Sequence, residues 1–404
     1  MTEIAGPIVV AGAGIAGLTA AIAFAARGRR VTVFERSASL DELGAGIQLS
    51  PNATRILARL GILPHLLPIA VKPEAIEIRR ADTLRLVASV PLGDAAERRW
   101  AGPYLTVHRA DLQDAMLAAA TQHPNIGIVT GVSVKDADFD GPGVTLSVDR
   151  DGQTEPVTCD LAVGADGVWS TLRRLGRSKT GHYTGNLAWR AMIRADDHAS
   201  VDLPPMDRVT TIVAKNFHLV AYPVRSGSAL NLVAVTRGPD APELWSTIGD
   251  RDVLLAAIKG SSPEVLRLVD EAGQWTTWPI HQVAVDGPWT NAAGFALIGD
   301  AAHAMPPYAA QGAAMAIEDA DTLATTIAHW PDDTAAALIA FEKLRRRRII
   351  KVSARGAFNK FAWHASGPVA MVRDRVLKIR GPEKLAADLD WLYGWDIETE
   401  IAKL

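Results

Sequence analysis

The stretch Val9–Ala21, VVAGAGIAGLTAA, decides the fold. With Ile8 before it, Val9 and Val10 make an apolar run of the kind used by a parallel strand buried on both faces. Gly12, Gly14 and Gly17 follow in GxGxxG spacing, with Ala16 among them, and an Ala- and Leu-rich segment then runs to near Arg27 and Gly28. In a strand–turn–helix unit each glycine has its own task. Gly12 allows the tight turn, Gly14 lets the backbone approach a pyrophosphate, and Gly17 lets helix and strand pack closely. The helix start offers N–H groups and the positive end of its dipole to phosphates. The next strand reads as Arg30–Glu35, RVTVFE, and ends in an acid about 20 residues beyond the turn. A carboxylate there accepts from a ribose diol and repels a 2′-phosphate, so FAD or NAD is expected at this site, and the turn is compatible with both.

The 404-residue chain is 48% apolar, enough to build more than one core. A net charge of −3 gives no reason to expect a nucleic-acid partner. The one basic run, Arg345–Arg348, reads as the solvated face of a helix. A single cysteine, Cys159, excludes an intramolecular disulfide and a cysteine-based metal cluster, and no metal site is expected. The N-terminus lacks a secretory pattern and no long apolar run is free of Gly or Pro, so a cytoplasmic protein with no membrane partner is expected.

Two later segments repeat the opening grammar of strand, small-residue turn and helix. One is LAVGADGVWSTLRR, Leu161–Arg174; the other is FALIGDAAHAMPPYAAQGAAMAIEDADTLA, Phe295–Ala324. Between them, from near Gly185 to Val285, the chain reads as strand-rich, with Trp189, Trp245, Trp275 and Trp278. Asp151-Gly152 marks a hairpin turn, and His108–Ala120 reads as a helix.

These three motifs in this order resemble the class A, single-component FAD-dependent aromatic hydroxylases. The branch is that of salicylate hydroxylase, 3-hydroxybenzoate 6-hydroxylase and 6-hydroxynicotinate 3-monooxygenase. The resemblance spans Ile8 to Thr326, and WLYGWD at Trp391–Asp396 shares it. It implies an α/β fold: a Rossmann-like FAD-binding domain with an inserted β-rich substrate domain and C-terminal helices, as in p-hydroxybenzoate hydroxylase-like flavoproteins. The expected division is 1–75, 101–180 and 286–330 for FAD, 76–100 and 181–285 for a substrate-binding sheet, and 331–404 for a helical region.

One extended FAD would then bridge the distant turns. The resemblance assigns Gly12, Gly14, Ala16, Gly17 and Glu35 to the ADP half, with Arg36 by the adenosine ribose. Arg109 falls at the pyrophosphate and ribityl region, and Asp166 in a motif tied to both FAD and the nicotinamide cofactor. Asp300 faces the ribityl chain, and Gly312 and Ala313 offer N–H groups to the flavin ring. No second GxGxxG occurs, so NAD(P)H is expected to dock transiently. The implied reaction uses NAD(P)H and O2, through a flavin C4a-hydroperoxide, to hydroxylate a small phenolic or N-heteroaromatic acid, with or without decarboxylation.

A base near the substrate oxygen would raise the nucleophilicity of a phenolic ring. His218 and Tyr222 in NFHLVAYPV are four apart, which puts both on one face of a strand; relatives in this branch place a His and a Tyr at that spacing. Gln48 stands where the 6-hydroxynicotinate enzyme carries a histidine assigned as base, and Gln cannot titrate. Arg190 pairs with a substrate carboxylate, lines the flavin's path, or forms a structural ion pair; the sequence leaves these open. The Trp residues and Pro306-Pro307-Tyr308 wall a dry pocket or belong to the core, and His303 reads as structural. Other readings keep the fold but oxidise a larger lipid or natural-product scaffold, make the chain a flavin-binding regulator, or make it a colourless NAD-dependent dehydrogenase. The C-terminal helices form a homodimer contact or cover the FAD domain.

Overall fold

The computed structural model describes residues 8–40, 45–140, 143–175, 181–194, 204–239 and 246–403. Ile8–Ala11 is the centre of a six-stranded sheet. Val31–Glu35 and Ile126–Thr130 extend it on one side, and Leu161–Gly164 and Phe295–Leu297 on the other, all parallel. The two-residue strand Thr290–Asn291 closes the edge antiparallel. Ile8, Val9 and Val10 are fully buried, as a central parallel strand requires.

The glycine turn behaves as its spacing predicts. Gly12 has φ +106°, and a Cβ there would lie 2.5 Å from the Ala165 carbonyl oxygen. A Cβ on Gly17 would lie 1.9 Å from the Gly12 oxygen, so helix Ile15–Ala25 can press onto the strand only because Gly17 has no side chain. The Asp151-Gly152 turn joins Val144–Arg150 to Gln153–Cys159 with both residues at positive φ, the geometry of a type I′ hairpin.

A second, eight-stranded sheet takes strands Ala75–Arg80 and Leu86–Pro91 from early in the chain and the rest from His182–Gln282. Its period-two alternation serves two faces. Phe217, Leu219 and Ala221 face a core shared with Trp189, Leu232 and Trp275. Their neighbours His218, Val220 and Tyr222 face the first sheet's side of the molecule. The segment is not all β. Helices Arg251–Ala257 and Pro263–Glu271 pack Leu254, Val265, Leu268 and Val269 onto that back face. Helices Gly312–His329 and Thr334–Trp363 follow the last turn, and Gly367–Ala387 then leans on Leu86–Pro91. No helix among the described residues is long and apolar enough to cross a membrane.

The Gly17 contact yields a test. Gly17→Ala must push backbone apart and is expected to lose ~1–3 kcal/mol or more of stability. Gly127→Ala, where a Cβ would meet nothing within 4 Å, should stay within ~0.5 kcal/mol of the parent in the same denaturant titration. Equal midpoints for the two variants would contradict the packing account.

Candidate active site

A cleft of about 720 Å³ runs between the glycine turn and the inner face of the eight-stranded sheet. It gathers residues from the whole chain: Gly12, Gly14, Ala16, Glu35, Arg36, Gln48, Arg109, Asp166, His218, Tyr222, Asp300, Gly312 and Ala313 all line it. Among the expected site residues Gly17 alone does not, because it is consumed in packing helix on strand.

At one end the cleft is polar. Glu35 accepts hydrogen bonds from the Ala13 N–H at 2.8 Å and the Ser37 N–H at 2.9 Å, tying the end of its strand to the glycine turn. Arg36 lies exposed at the mouth. Arg109 begins helix Arg109–Thr121, anchored where its N–H donates to the Ala45 carbonyl at 3.0 Å. Asp166 caps helix Thr171–Leu175, accepting from the Thr171 N–H at 2.7 Å. Burial pushes its carboxyl above the usual range, and its second oxygen is buried with no hydrogen-bond partner among the described residues.

The other end is drier. His218 and Tyr222 are 2% and 3% exposed, and Val220, Val233 and Val235 line the cleft beside them. Burial, together with the nearby His364 and Lys360, pushes His218 down to about 3, so it rests as a neutral imidazole. Burial raises the Tyr222 hydroxyl, and Arg190 and a hydrogen bond with Gln48 oppose that shift. The Gln48 carbonyl also accepts from the Tyr104 hydroxyl at 2.7 Å, so this amide lies between two phenols. Arg190 stacks over Trp278, 4.8 Å from the ring centre, and lines the cleft.

The residues present fit a flavin dinucleotide. A Cβ at Gly14 or Gly312 would meet no protein atom within 4 Å, so both backbones stand open to the cleft. Helices Ile15–Ala25 and Gly312–His329 both start without a side-chain cap, leaving N–H groups for a ligand. Asp166 and the buried Gln113 carbonyl oxygen, unpartnered among the described residues, are ready to accept from it.

Comparison with known proteins agrees with this geometry. Residues 6–355 match the FAD binding domain family. The chain is 32% identical to a 3-hydroxybenzoate 6-hydroxylase of Polaromonas naphthalenivorans over 98% of each chain. It belongs to the FAD-dependent aromatic hydroxylases. This hydroxylase is also 34% identical to a 3-amino-4-hydroxybenzoate 2-monooxygenase of Streptomyces platensis, over 96% of each. A salicylate hydroxylase solved with its substrate shares the fold, with TM-score 0.81, 24% identity, and 99% and 98% coverage.

One expectation needs correction in this hydroxylase, and two readings left open are decided. The basic run is not a solvated face: Arg345 is fully buried, Arg348 is 5% exposed, and only Arg347 of the four is exposed. Tyr308 does not line the cleft, although Met305 and Pro307 do; it packs against His218 and Trp363 instead. Of the two readings left open for the tryptophans, Trp189 and Trp275 take the core one, and Trp245 lies outside the described residues. His303 is structural as expected, its Nε2 2.5 Å from Asp319.

Sequence reading missed the ionic cluster behind the loop that precedes Gly312. Glu318 and Asp319, both fully buried, meet Arg345 at 2.6 Å each, and Glu318 also meets Arg348 at 2.8 Å. Asn52 donates to Glu318 at 2.6 Å, and Gln311 donates to Ser50 at 2.9 Å, tying the cluster to the residue before Gly312. Arg348 donates to the Trp391 and Leu392 carbonyls, which anchors the WLYGWD segment. The available signal was the pairing of EDAD on one helix with two arginines three apart on the next.

Burial pushes the Glu318 carboxyl up, but the Arg348 and Arg345 charges outweigh it and hold it below the usual carboxylate range. A depressed folded value means stability present above the unfolded range and lost as pH falls through the folded one. Glu318→Gln should cost ~3–5 kcal/mol at neutral pH, and its loss of stability on acidification should be shallower than the parent's. Denaturant titrations from neutral to acid pH measure both, and parallel acid profiles would contradict the assignment.

Proposed function

We propose that this chain hydroxylates a small phenolic or N-heteroaromatic acid, using FAD, NAD(P)H and O2. The observation that carries the reading is the inner face of the eight-stranded sheet. Val233 pairs with both Arg190 and Val220, and Val235 pairs with both Ala188 and His218. Strands lie ~4.8 Å apart and rise ~3.3 Å per residue, so Arg190 stands roughly 12 Å from His218 between Cα atoms. The valines form an apolar floor between a cation on one side and His218 with Tyr222 on the other. An aromatic acid fits that span, with its carboxylate toward Arg190 and its hydroxyl toward the histidine. The relatives named for hydroxybenzoate chemistry support the same substrate class.

FAD, when bound and reduced, supplies the activated oxygen derived from O2. The chain's own residues do the rest. Gly12, Gly14, Ala16, Glu35 and Arg36 hold the ADP half, with Arg109, Asp166 and Asp300 along the middle of the cofactor. The N-terminus of helix Gly312–His329 meets negative charge on the ring, worth ~0.3–2 kcal/mol. Neutral His218 accepts the proton of the ring hydroxyl, which makes the ring more nucleophilic. Tyr222 and Gln48 hold the substrate oxygen by hydrogen bonding, and the valine floor with Met305 and Pro307 keeps water out. NAD(P)H is the transient reductant.

The test is NAD(P)H oxidation by the FAD-loaded protein over hydroxybenzoates, aminobenzoates and hydroxynicotinates, with product masses. One acid should stimulate oxidation and gain an oxygen atom, or gain it and lose CO2. His218→Gln should lower that rate ~10²–10⁴-fold with FAD content unchanged. A yellow protein that oxidises none of these acids would overturn the reading.

A further inference from the structure

Far from the cleft, helix Gly367–Ala387 turns an apolar face to the outside. Thirteen large apolar side chains are exposed among the described residues, and eight of them fall between Ile350 and Ile379. Single apolar residues scattered over a surface are ordinary, whereas a concentration of them marks a contact. Val369, Val372, Val376 and Ile379 follow one another at spacings of three and four, so they form one stripe along the helix. Gly381, at φ +69°, kinks the helix just beyond the stripe.

The stripe faces outward because the opposite side of the helix is already committed. Ala370 is buried, and Asp374, one turn on, pairs with Arg85 at 3.0 Å and Arg80 at 3.4 Å at the edge of the eight-stranded sheet. Val372 and Val376 each lie about 160° round the helix from Asp374. The charge beside the stripe is of one sign. From Arg347 to Lys384 the chain has ten Lys and Arg against two acids, although its net charge is −3. Asp374 is one of those acids and is held by arginines; Glu383 is the other. Arg375, Lys378 and Lys384 are exposed.

We propose that this face docks on an anionic bilayer surface, with helix Gly367–Ala387 lying flat in the headgroup layer. An apolar stripe beside cations suits that boundary. The valines and the isoleucine enter the acyl edge, while Arg375 and Lys378 extend their charged ends to lipid phosphates. A second copy of this chain fits the face less well. Two-fold pairing would bring Arg375 and Lys378 toward the same cations of the mate, with Glu383 the one acid of the segment left to offset them. An anionic headgroup layer supplies the missing counter-charge. The expectation of no membrane partner rests on the lack of a spanning run, and a helix lying flat on a bilayer needs none.

The test floats the FAD-loaded full chain with vesicles of phosphatidylcholine alone and of phosphatidylcholine mixed with phosphatidylglycerol. The parent is expected to rise with the anionic vesicles, to stay free of the neutral ones, and to be released by high salt. Arg375→Gln with Lys378→Gln should weaken that binding ~10–30-fold. Val372→Asp with Val376→Asp should abolish it. All four positions lie outside the cleft, so FAD content and thermal midpoint should match the parent's. Sedimentation velocity without lipid should give the parent and both variants the same size. A parent that ignores the anionic vesicles would overturn the proposal, as would binding that either pair of substitutions leaves unchanged. A parent dimer that Val372→Asp with Val376→Asp splits into monomers would also overturn it and assign the face to a second copy.

Discussion

The structure depends on a buried ionic cluster. Two adjacent carboxylates, Glu318 and Asp319, sit inside the protein and are paired with Arg345 and Arg348, while His303 hydrogen-bonds Asp319. Buried charges are tolerated only when paired and hydrogen-bonded, so each member fixes where the others must lie. Asp319 also accepts from the Gly299 N–H at 2.8 Å, at the end of a first-sheet strand. Glu318 reaches Asn52, at the start of a helix, and Gln311, before Gly312, is bonded to Ser50. The first sheet, the loop that precedes Gly312, the long helix and the C-terminal WLYGWD segment are thereby locked to one another. Helix Gly312–His329 cannot rotate without breaking that lock, and its first residues, Gly312 and Ala313, line the cleft.

The second constraint is the alternation of the eight-stranded sheet. Successive residues of Phe217–Val224 serve opposite faces, so one strand builds a hydrophobic core and a chemical wall together. A slip of one residue in register would bury His218 and Tyr222 in the core and turn Phe217, Leu219 and Ala221 toward the cleft. Correct chemistry and correct folding are selected by the same pairing. The wall sets few polar groups, His218, Tyr222 and Arg190 among them, beside the valines Val220, Val233 and Val235.

Much of this was legible in the sequence. The glycine turn, Glu35, the Gly164–Gly167 turn and the Gly299-Asp300 turn carry local grammar, and the spacing of His218 and Tyr222 set their shared face. What stayed hidden was tertiary. A run of four arginines looks solvated until one knows that Glu318 and Asp319 lie against it, and charge runs are usually exposed. His364 lies 146 residues from His218, at the end of a helix with no motif around it. The helices within 251–271 were hidden because a strand-rich reading of their surroundings outweighed the apolar spacing of Val265, Leu268 and Val269.

The central claim is that an aromatic acid lies on the valine floor of the sheet, between Arg190 and His218, beside the start of helix Gly312–His329. Its most direct test is a crystal structure of the FAD-loaded protein with 3-hydroxybenzoate. The account predicts the carboxylate within hydrogen-bonding distance of Arg190, the hydroxyl on His218, and the flavin ring against the Gly312 and Ala313 N–H groups. An acid bound away from the His218–Tyr222 face, or a flavin ring that does not reach Gly312, would contradict it.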